Sequence, residues 1–513
     1  MFDTLVVLGA GVGFGLAAVA AARAAALRVG LVDRPDGRRK LQSRPVAVAG
    51  GVGVLVATVA ALAVAGALVP DVRQALADNP GRTASLLAAG LVIAAVGLLD
   101  DLTNMRARYK VAGQLAAVLP LVFLGGFRID SVSVLGNSMP LGYFAAPVTV
   151  FWFLAAINAL NLLDGMDGLL GTVGLIIVGT LAWMAFAAGH PFAGYVAVAL
   201  AGGLVGFLRY NLPPASVYLG DCGSMLIGLA VGALALEACV KGPAVAIVAP
   251  TALLVLPILD TTAAVVRRKL TGRGLAVCDR GHLHHEMLRR GLTRGRVLAV
   301  VAALGVVAAG GALTGTFLQN DLFAALSAVV VVLILLISGL FGTAEVRLIK
   351  ERAAAVYRAA VHGGRHFELS VRLQGTANWA DVWQRLVGAA DELGLRSVRL
   401  DVNAPAWHEG FHGRWDRKAQ AADPLGLWRL ELPVFGHGQL IGRLTVAGER
   451  TDDAPVADQF ARLAGTVAAV ELAAGLTLTP PAPPVPARVP VDDPTRTTRA
   501  LETAAHPSLS ASS

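Results

Sequence analysis

The sequence predicts an all-α polytopic membrane protein of about eleven transmembrane helices, followed by a C-terminal cytoplasmic α/β module and a disordered tail. Three observations carry this expectation. The 513 residues have a mean hydropathy of +0.65, with 55% hydrophobic and only 15% charged residues. That leaves too little polar surface for a soluble chain of this length. Apolar runs near the length of a hydrocarbon core recur from residue 4 to residue 341, and basic residues gather in alternate loops between them.

The runs are 4–22, 46–70, 84–99, 111–126, 146–162, 170–188, 191–208, 223–239, 244–265, 297–315 and 321–341. Many are rich in Gly and Ala, which lets helices approach closely. In the first, Gly9, Gly11 and Gly13 fall short of a dinucleotide-binding fingerprint because Phe14 stands where the third glycine belongs, so they read as packing positions. Basic residues follow that run instead of preceding it, which marks a retained span and not a signal peptide. Arg23 to Arg44, then Arg106, Arg108 and Lys110, then Arg267 to Arg296 load the odd-numbered loops with positive charge. The positive-inside rule therefore places those loops and the C-terminus in the cytoplasm and the N-terminus outside. A net charge of +8 reads as membrane orientation and anion binding. No basic stripe with interleaved aromatics supports a nucleic-acid partner. Cys222, Cys239 and Cys278 follow no zinc spacing, and neither a disulfide nor a metal is assigned to them.

The transmembrane domain is expected over 1–343, with a basic amphipathic linker helix over 344–362. Residues 363–475 read as a soluble α/β module, loosely similar to a GAF-type fold. Its strand-like runs are His366–Leu373, Ser397–Val402, Leu427–Leu432 and Leu440–Val446, and its helical patterns Trp379–Leu393 and Pro455–Ala474. His408, His412 and His437 read as surface residues, because Gly410 argues against a helix that would align the first two. Residues 476–513, rich in Pro, Thr, Ser and Ala, read as a disordered tail.

Every unusual polar cluster falls in a loop expected to be cytoplasmic, and carboxylates beside apolar helices are costly unless they are used. The first cluster, Asp33-Arg34-Pro35-Asp36-Gly37-Arg38-Arg39-Lys40, reads as a phosphate-binding loop or an ordinary basic turn. Asp100 and Asp101 end an apolar run, where the helix dipole opposes them, and are followed by Lys110 and Gln114. Asn158, Asn161, Asp164 and Asp167 are spaced by three, which puts each like pair on one helix face. Their hard oxygens suit Mg²⁺. Asp221 opens an apolar run at Leu219-Gly220-Asp221-Cys222-Gly223-Ser224, either as an N-cap or at a phosphate site. The last cluster joins Asp260, Arg267, Arg268, Arg273 and Asp279 to His282, His284 and His285. Phosphate or uridine contact fits its basic context better than zinc, which lacks a usual ligand spacing there.

Taken in order, these clusters resemble the polyprenyl-phosphate N-acetylhexosamine-1-phosphate transferases over roughly residues 28–296. The resemblance rests on D-x-P…R-K…G-G, L-D-D with its downstream Lys and Gln, N-x-x-N-x-x-D-G-x-D-G-L, N-x-P…L-G-D-x-G-S and P-x-x-D…D-R-x-H-L-H-H. The H-L-H-H form looks like the branch that uses UDP-N-acetylglucosamine. It looks less like the branch that transfers phospho-N-acetylmuramoyl-pentapeptide. Gln42 stands where the family has His, and Ala47 where it has Pro.

The resemblance implies transfer of N-acetylglucosamine-1-phosphate from a UDP-sugar to undecaprenyl phosphate, with UMP released and Mg²⁺ (or Mn²⁺) as cofactor. Asn161 and Asp221 would bind the metal. Asp164 and Asp167 would support it or hold the nucleotide, and Asp100 and Asp101 would face the lipid phosphate, with Asp100 as candidate base. Lys40, Lys110, Asn158, Arg273, Asp279, His282, His284 and His285 would bind substrate. A covalent aspartyl-phosphate route stays open, membrane lipid is a partner, and a homodimer is compatible with the family. A transporter of lipid-linked sugars is the rival class, but its polar groups should be spread through the membrane depth. Here they collect at one face.

Overall fold

The computed structural model describes residues 1–449 apart from 35–44, 135–136, 242–243, 272–280, 362–365, 376–377, 405–408, 418–426 and 437–438. Lys40, Gln42, Arg273, Asp279, Cys278, His408, His437 and the helical pattern Pro455–Ala474 lie outside the described residues.

Helix α1 (Phe2–Val29) ends at Gly30, and β1 (Val32–Asp33) and β2 (Val46–Val48) lead into α2 (Gly50–Leu68). A short α3 (Pro70–Ala77) precedes α4 (Pro80–Thr103) and α5 (Ala107–Phe123). Proline opens both α3 and α4 at their first turn, where its missing N–H costs nothing. The hairpin β3 (Ser131–Val134) and β4 (Asn137–Pro140) leads to α6 (Ala145–Leu163), α7 (Leu169–Ala187) and α8 (Pro191–Asn211). Then come β5 (Val217–Tyr218), α9 (Gly220–Ala238), β6 (Val240–Lys241), β7 (Ala244–Ala246), α10 (Val248–Leu253) and α11 (Val255–Thr271). The helical part closes with α12 (Leu283–Arg289), α13 (Arg294–Phe317), α14 (Leu322–Ile337) and α15 (Thr343–Val361).

Among the described residues, eight helices are long and apolar enough to cross a membrane: α1, α2, α4, α6 with its preceding turn, α7, α8, α9 and α13. The expectation of about eleven is not met on that measure, for local reasons. The run 111–126 becomes α5, whose 17 residues carry Arg108 and Lys110 in the first turn. The run 244–265 is divided between β7, the six-residue α10 and α11, which carries Asp260, Arg267, Arg268 and Lys269. The run 321–341 supplies only the 16 residues of α14.

Helices α8 and α9 form the centre, with 89% of their apolar stretch buried inside the protein against 22% for α1. Small residues make this packing close. A Cβ on Gly11 of α1 would lie 2.8 Å from the Ala199 carbonyl of α8, and one on Gly15 3.0 Å from that of Gly203. Such backbone proximity is how helices associate where apolar burial offers no preference. Two small sheets mark opposite ends of the bundle. At one, β2 lies between β1 and β5, running parallel to β5 with Ala47 opposite Val217. At the other, the order is β4-β3-β7-β6.

Helix α15 turns its Leu348 and Ala355 inward with Leu369 and Val371 of β8 (His366–Gln374), and leaves Val346, Ile349, Val356 and Tyr357 exposed. Beyond it stand α16 (Trp379–Glu392), β9 (Ser397–Ala404), β10 (Glu409–Arg417), β11 (Leu427–Gly436) and β12 (Gln439–Glu449). The strands form one antiparallel sheet, β11-β12-β9-β10-β8. Its core buries Trp379 and Trp383 of α16 against Trp415 and Phe411 of β10. Strand β10 corrects one expectation: His412 is not a surface residue but 4% exposed, with Nδ1 3.5 Å from the Asp401 carboxylate of β9.

Candidate active site

The polar clusters converge at one end of the bundle, around the first turn of α9. Gly220, with a φ of +74°, opens α9 in a conformation that a side chain would strain, and Asp221 follows it in the first turn. The Asp221 carboxylate receives two donors. Asn161 Nδ2, from the last turn of α6, donates to Oδ1 at 2.7 Å, and Lys110 Nζ of α5 lies 2.6 Å from Oδ2. The same ammonium lies 2.8 Å from Oδ2 of Asp100 and 3.3 Å from Oδ1 of Asn161. Asn161 also donates to Ser224 Oγ at 2.7 Å. Lys110 is therefore the focus of three oxygen-bearing side chains from α4, α6 and α9.

Asp100 and Asp101 are neighbours in sequence but point to different partners, because successive helical residues are rotated by about 100°. Asp100 faces Lys110, and its Oδ1 also accepts the Met105 amide at 2.7 Å. Asp101 accepts the backbone N–H of Asp221 at 2.9 Å and of Cys222 at 3.2 Å. Two amides at the start of a helix have no intrahelical acceptor, so an anion there is favoured twice, by hydrogen bonding and by the dipole. Asp101 is thus the cap of α9.

Asn158 takes a similar turn away from open space. Its Nδ2 donates to Gln114 Oε1 at 2.9 Å and to the Leu154 carbonyl at 2.8 Å, while Gln114, fully buried, donates back at 3.3 Å. This reciprocal amide pair braces α5 against α6.

The loop between α6 and α7 carries Asp164 and Asp167. Asp167 accepts from the Ala215 amide at 3.1 Å and from Arg294 at 3.4 Å, tying the loop to the α8–α9 connection and to α13. Asn211 of α8 helps by accepting from the Gly168 amide at 2.9 Å and donating to the Val217 carbonyl at 2.8 Å. Asp164 has no hydrogen-bond partner among the described residues. Burial, reinforced by the charges of Asp221, Asp101 and Asp167, pushes its carboxyl up to about 7. A carboxylate left without a donor among other carboxylates is a place that accepts a cation. Its oxygens, like those of Asp221 and the Asn161 carbonyl, are hard donors of the kind Mg²⁺ prefers, but among the described residues no three His, Cys, Asp or Glu side chains stand close enough to hold a metal ion by themselves.

The H-L-H-H segment closes the site from α11 and α12. His282 Nδ1 lies 2.9 Å from Asp260 Oδ2, and Asp260 Oδ1 accepts the Leu283 amide at 2.9 Å. Asp260 is 3% exposed. No specific role for Asp260 follows from the sequence, where the signal is a lone carboxylate inside an apolar run. With Nδ1 held by Asp260, Nε2 is the ring nitrogen of His282 left for another contact. His284 is 2% exposed and lies over the α6–α7 loop, where a Cβ on Gly165 would come within 2.5 Å of its Nε2. Its ring is stacked parallel to His282 at 5.9 Å and sits 4.2 Å from His285. Neither ring nitrogen has a partner among the described residues. Burial first, then the neighbouring His285, lowers its imidazole to about 3, so it stays neutral.

The structure thus brings Asp100, Asp101, Lys110, Asn161, Asp164 and Asp221 into one cluster, with His282, His284 and His285 on the adjoining wall.

Residues 83–239 match the family model described as Glycosyl transferase family 4. The chain is 30% identical over 285 residues to a probable undecaprenyl-phosphate N-acetylglucosaminyl 1-phosphate transferase of Bacillus subtilis, covering 55% of this chain and 76% of that protein. It is 32% identical over 337 residues to a decaprenyl-phosphate N-acetylglucosaminephosphotransferase of Mycobacterium tuberculosis, covering 60% of this chain and 82% of that protein. A phospho-N-acetylmuramoyl-pentapeptide-transferase of Clostridium botulinum is 31% identical over 234 residues, 44% of this chain and 69% of that protein. With the matched residues containing α4 to α9, on which most of the clustered side chains stand, the chain belongs to the polyprenyl-phosphate N-acetylhexosamine-1-phosphate transferase family and is a multi-pass membrane enzyme, a glycosyl-1-phosphate transferase.

Proposed function

We propose that this enzyme transfers N-acetylglucosamine-1-phosphate from UDP-N-acetylglucosamine to undecaprenyl phosphate and releases UMP, at the cytoplasmic face of a bacterial plasma membrane. The observation that carries this reading is the set of oxygen donors focused on Lys110 at one end of an apolar bundle. The names of the Bacillus and Mycobacterium relatives support the sugar and the lipid class.

An oxygen of the lipid phosphate attacks the β-phosphorus of the donor, and the bond from that phosphorus to the bridging oxygen breaks, leaving the electron pair on UMP. Phosphoryl transfer of this kind asks for positioning and charge neutralisation more than for covalent chemistry. A phosphate monoester has its second pKa near about 6, so the attacking group is already mostly a dianion at neutral pH. Asp100, held against Lys110, then serves mainly to fix the ammonium where it meets phosphate oxygens. Asp101 holds Asp221 through the α9 amides, and Asp260 orients His282 toward the nucleotide. Asp221, Asp164 and the Asn161 carbonyl would hold Mg²⁺, which when bound offsets pyrophosphate charge; Mn²⁺ has similar donor preferences. Charge counting supports that need. Asp100 and Asp221 share Lys110, Asp164 lies within electrostatic reach of Asp221 and Asp101, and the substrates add further negative charge.

The test is the purified protein in detergent with undecaprenyl phosphate, Mg²⁺ and a panel of radiolabelled UDP-sugars, with Asp221→Asn alongside. Label from UDP-N-acetylglucosamine in the lipid phase, dependent on Mg²⁺ and lost in the variant, is expected. Label taken only from UDP-N-acetylmuramoyl-pentapeptide would move the chain to the Clostridium relative's activity. No lipid-linked label from any donor would sink the reading in favour of a lipid-linked sugar transporter.

A further inference from the structure

Two side chains of α11 hold the turn that delivers the H-L-H-H segment. Asp260 and Arg267 are seven residues apart, two helical turns, and so share a face. Asp260 fixes His282 and the Leu283 amide. Arg267 lies flat against the backbone of Gly281, where an added Cβ would come 2.3 Å from the guanidinium carbon. Any side chain at 281 would push the arginine aside, so the contact is close enough to transmit position.

Arg267 is 5% exposed, and a guanidinium that is buried needs a partner. It has one from outside the bundle: Glu345, in the first turn of α15, forms an ion pair and hydrogen bond with Arg267 Nη1. Glu345 is itself 8% exposed. Both charges suit their helices, an anion at the start of α15 and a cation near the end of α11. Planar Arg–carboxylate pairs are also directional. Helix α15 lies beyond the residues matched by the family model and packs on β8 of the C-terminal sheet through Leu348 and Ala355. A connected path therefore runs from that sheet through α15, Glu345, Arg267 and Gly281 to His282.

We propose that Glu345 is a positioning residue for the transfer reaction: by holding Arg267 under Gly281 it sets the place of the H-L-H-H segment, and thereby the affinity for the uridine nucleotide. The inference rests on the reading that this segment meets the nucleotide end of the donor. It assigns the linker helix a part in the site, so that movement of the C-terminal sheet is felt as a change in donor binding.

The experiment compares the full-length protein with Glu345→Gln and Glu345→Asp in detergent. UMP binding is measured by calorimetry, and the KM values for UDP-N-acetylglucosamine and undecaprenyl phosphate by initial rates, with melting temperature recorded for each variant. Glu345→Gln should weaken UMP binding and raise the donor KM by about tenfold, the size of one lost charge-assisted hydrogen bond. The lipid KM should stay unchanged, and Glu345→Asp should recover part of the loss. UMP affinity within about twofold of the parent, or a rise in both KM values that follows the fall in melting temperature, would overturn the proposal. A parent protein that binds UMP yet transfers no sugar would defeat the proposed reaction alone, and the UMP affinities would still decide the role of Glu345. A parent that binds no UMP would overturn both.

Discussion

Replacing Asp101 by Asn separates two roles for this carboxylate. As the cap of α9 it accepts the Asp221 and Cys222 amides at 2.9 and 3.2 Å. Asparagine keeps one oxygen but turns an NH₂ group toward the second amide, so one charge-assisted bond is lost and two donors face each other. A hydrogen bond to a charged group is worth about 1.5–3 kcal/mol, and the unmatched amide adds to the loss, so about 2–3 kcal/mol is expected. The cost falls on the residue that carries Asp221, whose side chain holds Lys110 and Asn161. If it is felt fully in the transition state, kcat falls about 30- to 150-fold. The assay is the initial rate of lipid-linked product at saturating donor and lipid, with a melting curve to show that the variant is folded. A folded variant with kcat within about twofold of the parent would refute the capping argument. A rise in the lipid KM with kcat preserved would instead restore a direct contact between Asp101 and the lipid phosphate.

Lys110→Met leaves Asp100 and Asp221 facing each other without a cation. Breaking such a pair costs about 3–5 kcal/mol, so both activity and melting temperature should fall steeply, and a variant that melts like the parent would show that the ammonium is not their shared partner. Gly97→Ala puts a Cβ 2.4 Å from the Cys222 backbone, whereas Gly9 has nothing within 4 Å. The first should cost about 1–3 kcal/mol of stability and Gly9→Ala almost none, as read by thermal unfolding in detergent; equal melting temperatures would contradict the helix contact. The pH dependence of stability follows from His284, lowered in the fold from 6.5 to about 3. Below pH 6.5 the unfolded chain takes up a proton that the fold refuses, so this residue withdraws about 1.4 kcal/mol per pH unit as pH falls toward 3. His284→Asn should flatten the decline in melting temperature between pH 7.5 and 5, and an unchanged slope would place the acid sensitivity elsewhere.

Much of this site is legible in the sequence because the membrane makes polar residues conspicuous. Carboxylates such as Asp100, Asp164 and Asp221 beside apolar runs have few reasons to be there except function, and their loops alternate along the chain. What sequence spacing does not reveal is which neighbour each side chain meets. Asp100 and Asp101 look equivalent, yet one faces α5 and the other α9. Asn158 and Asn161 share a helix face, but one turn of depth separates an amide brace with Gln114 from a contact at the mouth with Lys110. The apolar run 244–265 looks continuous, and only packing divides it into α10 and α11. Strand β10 was unreadable for a different reason. Gly410, Gly413 and its charged residues hide a central strand, whose membership is decided by pairing with β8 and β9.

The glycines of the motifs explain why the carboxylates meet at all. A Cβ on Gly51 of α2 would lie 2.2 Å from the Gly223 nitrogen, and one on Gly97 of α4 would lie 2.4 Å from both the nitrogen and Cα of Cys222. Two helices thus press their backbones against the first turn of α9 at adjacent residues. Gly97 and Asp101 are four apart, one turn on the same face of α4. The glycine sets the approach, and the aspartate one turn later reaches the free amides. Gly51 anchors the same turn by donating its N–H to the Leu219 carbonyl at 2.9 Å. The double glycine and the G-L-L-D-D run are therefore one device built from two segments. They bring α2 and α4 close enough for a short carboxylate to hold the start of α9, and so place Asp221 where Lys110 and Asn161 can both reach it. A longer residue at 101 would overshoot these amides, and a larger one at 97 would keep the carboxylate out of reach, so neither position can be changed without the other.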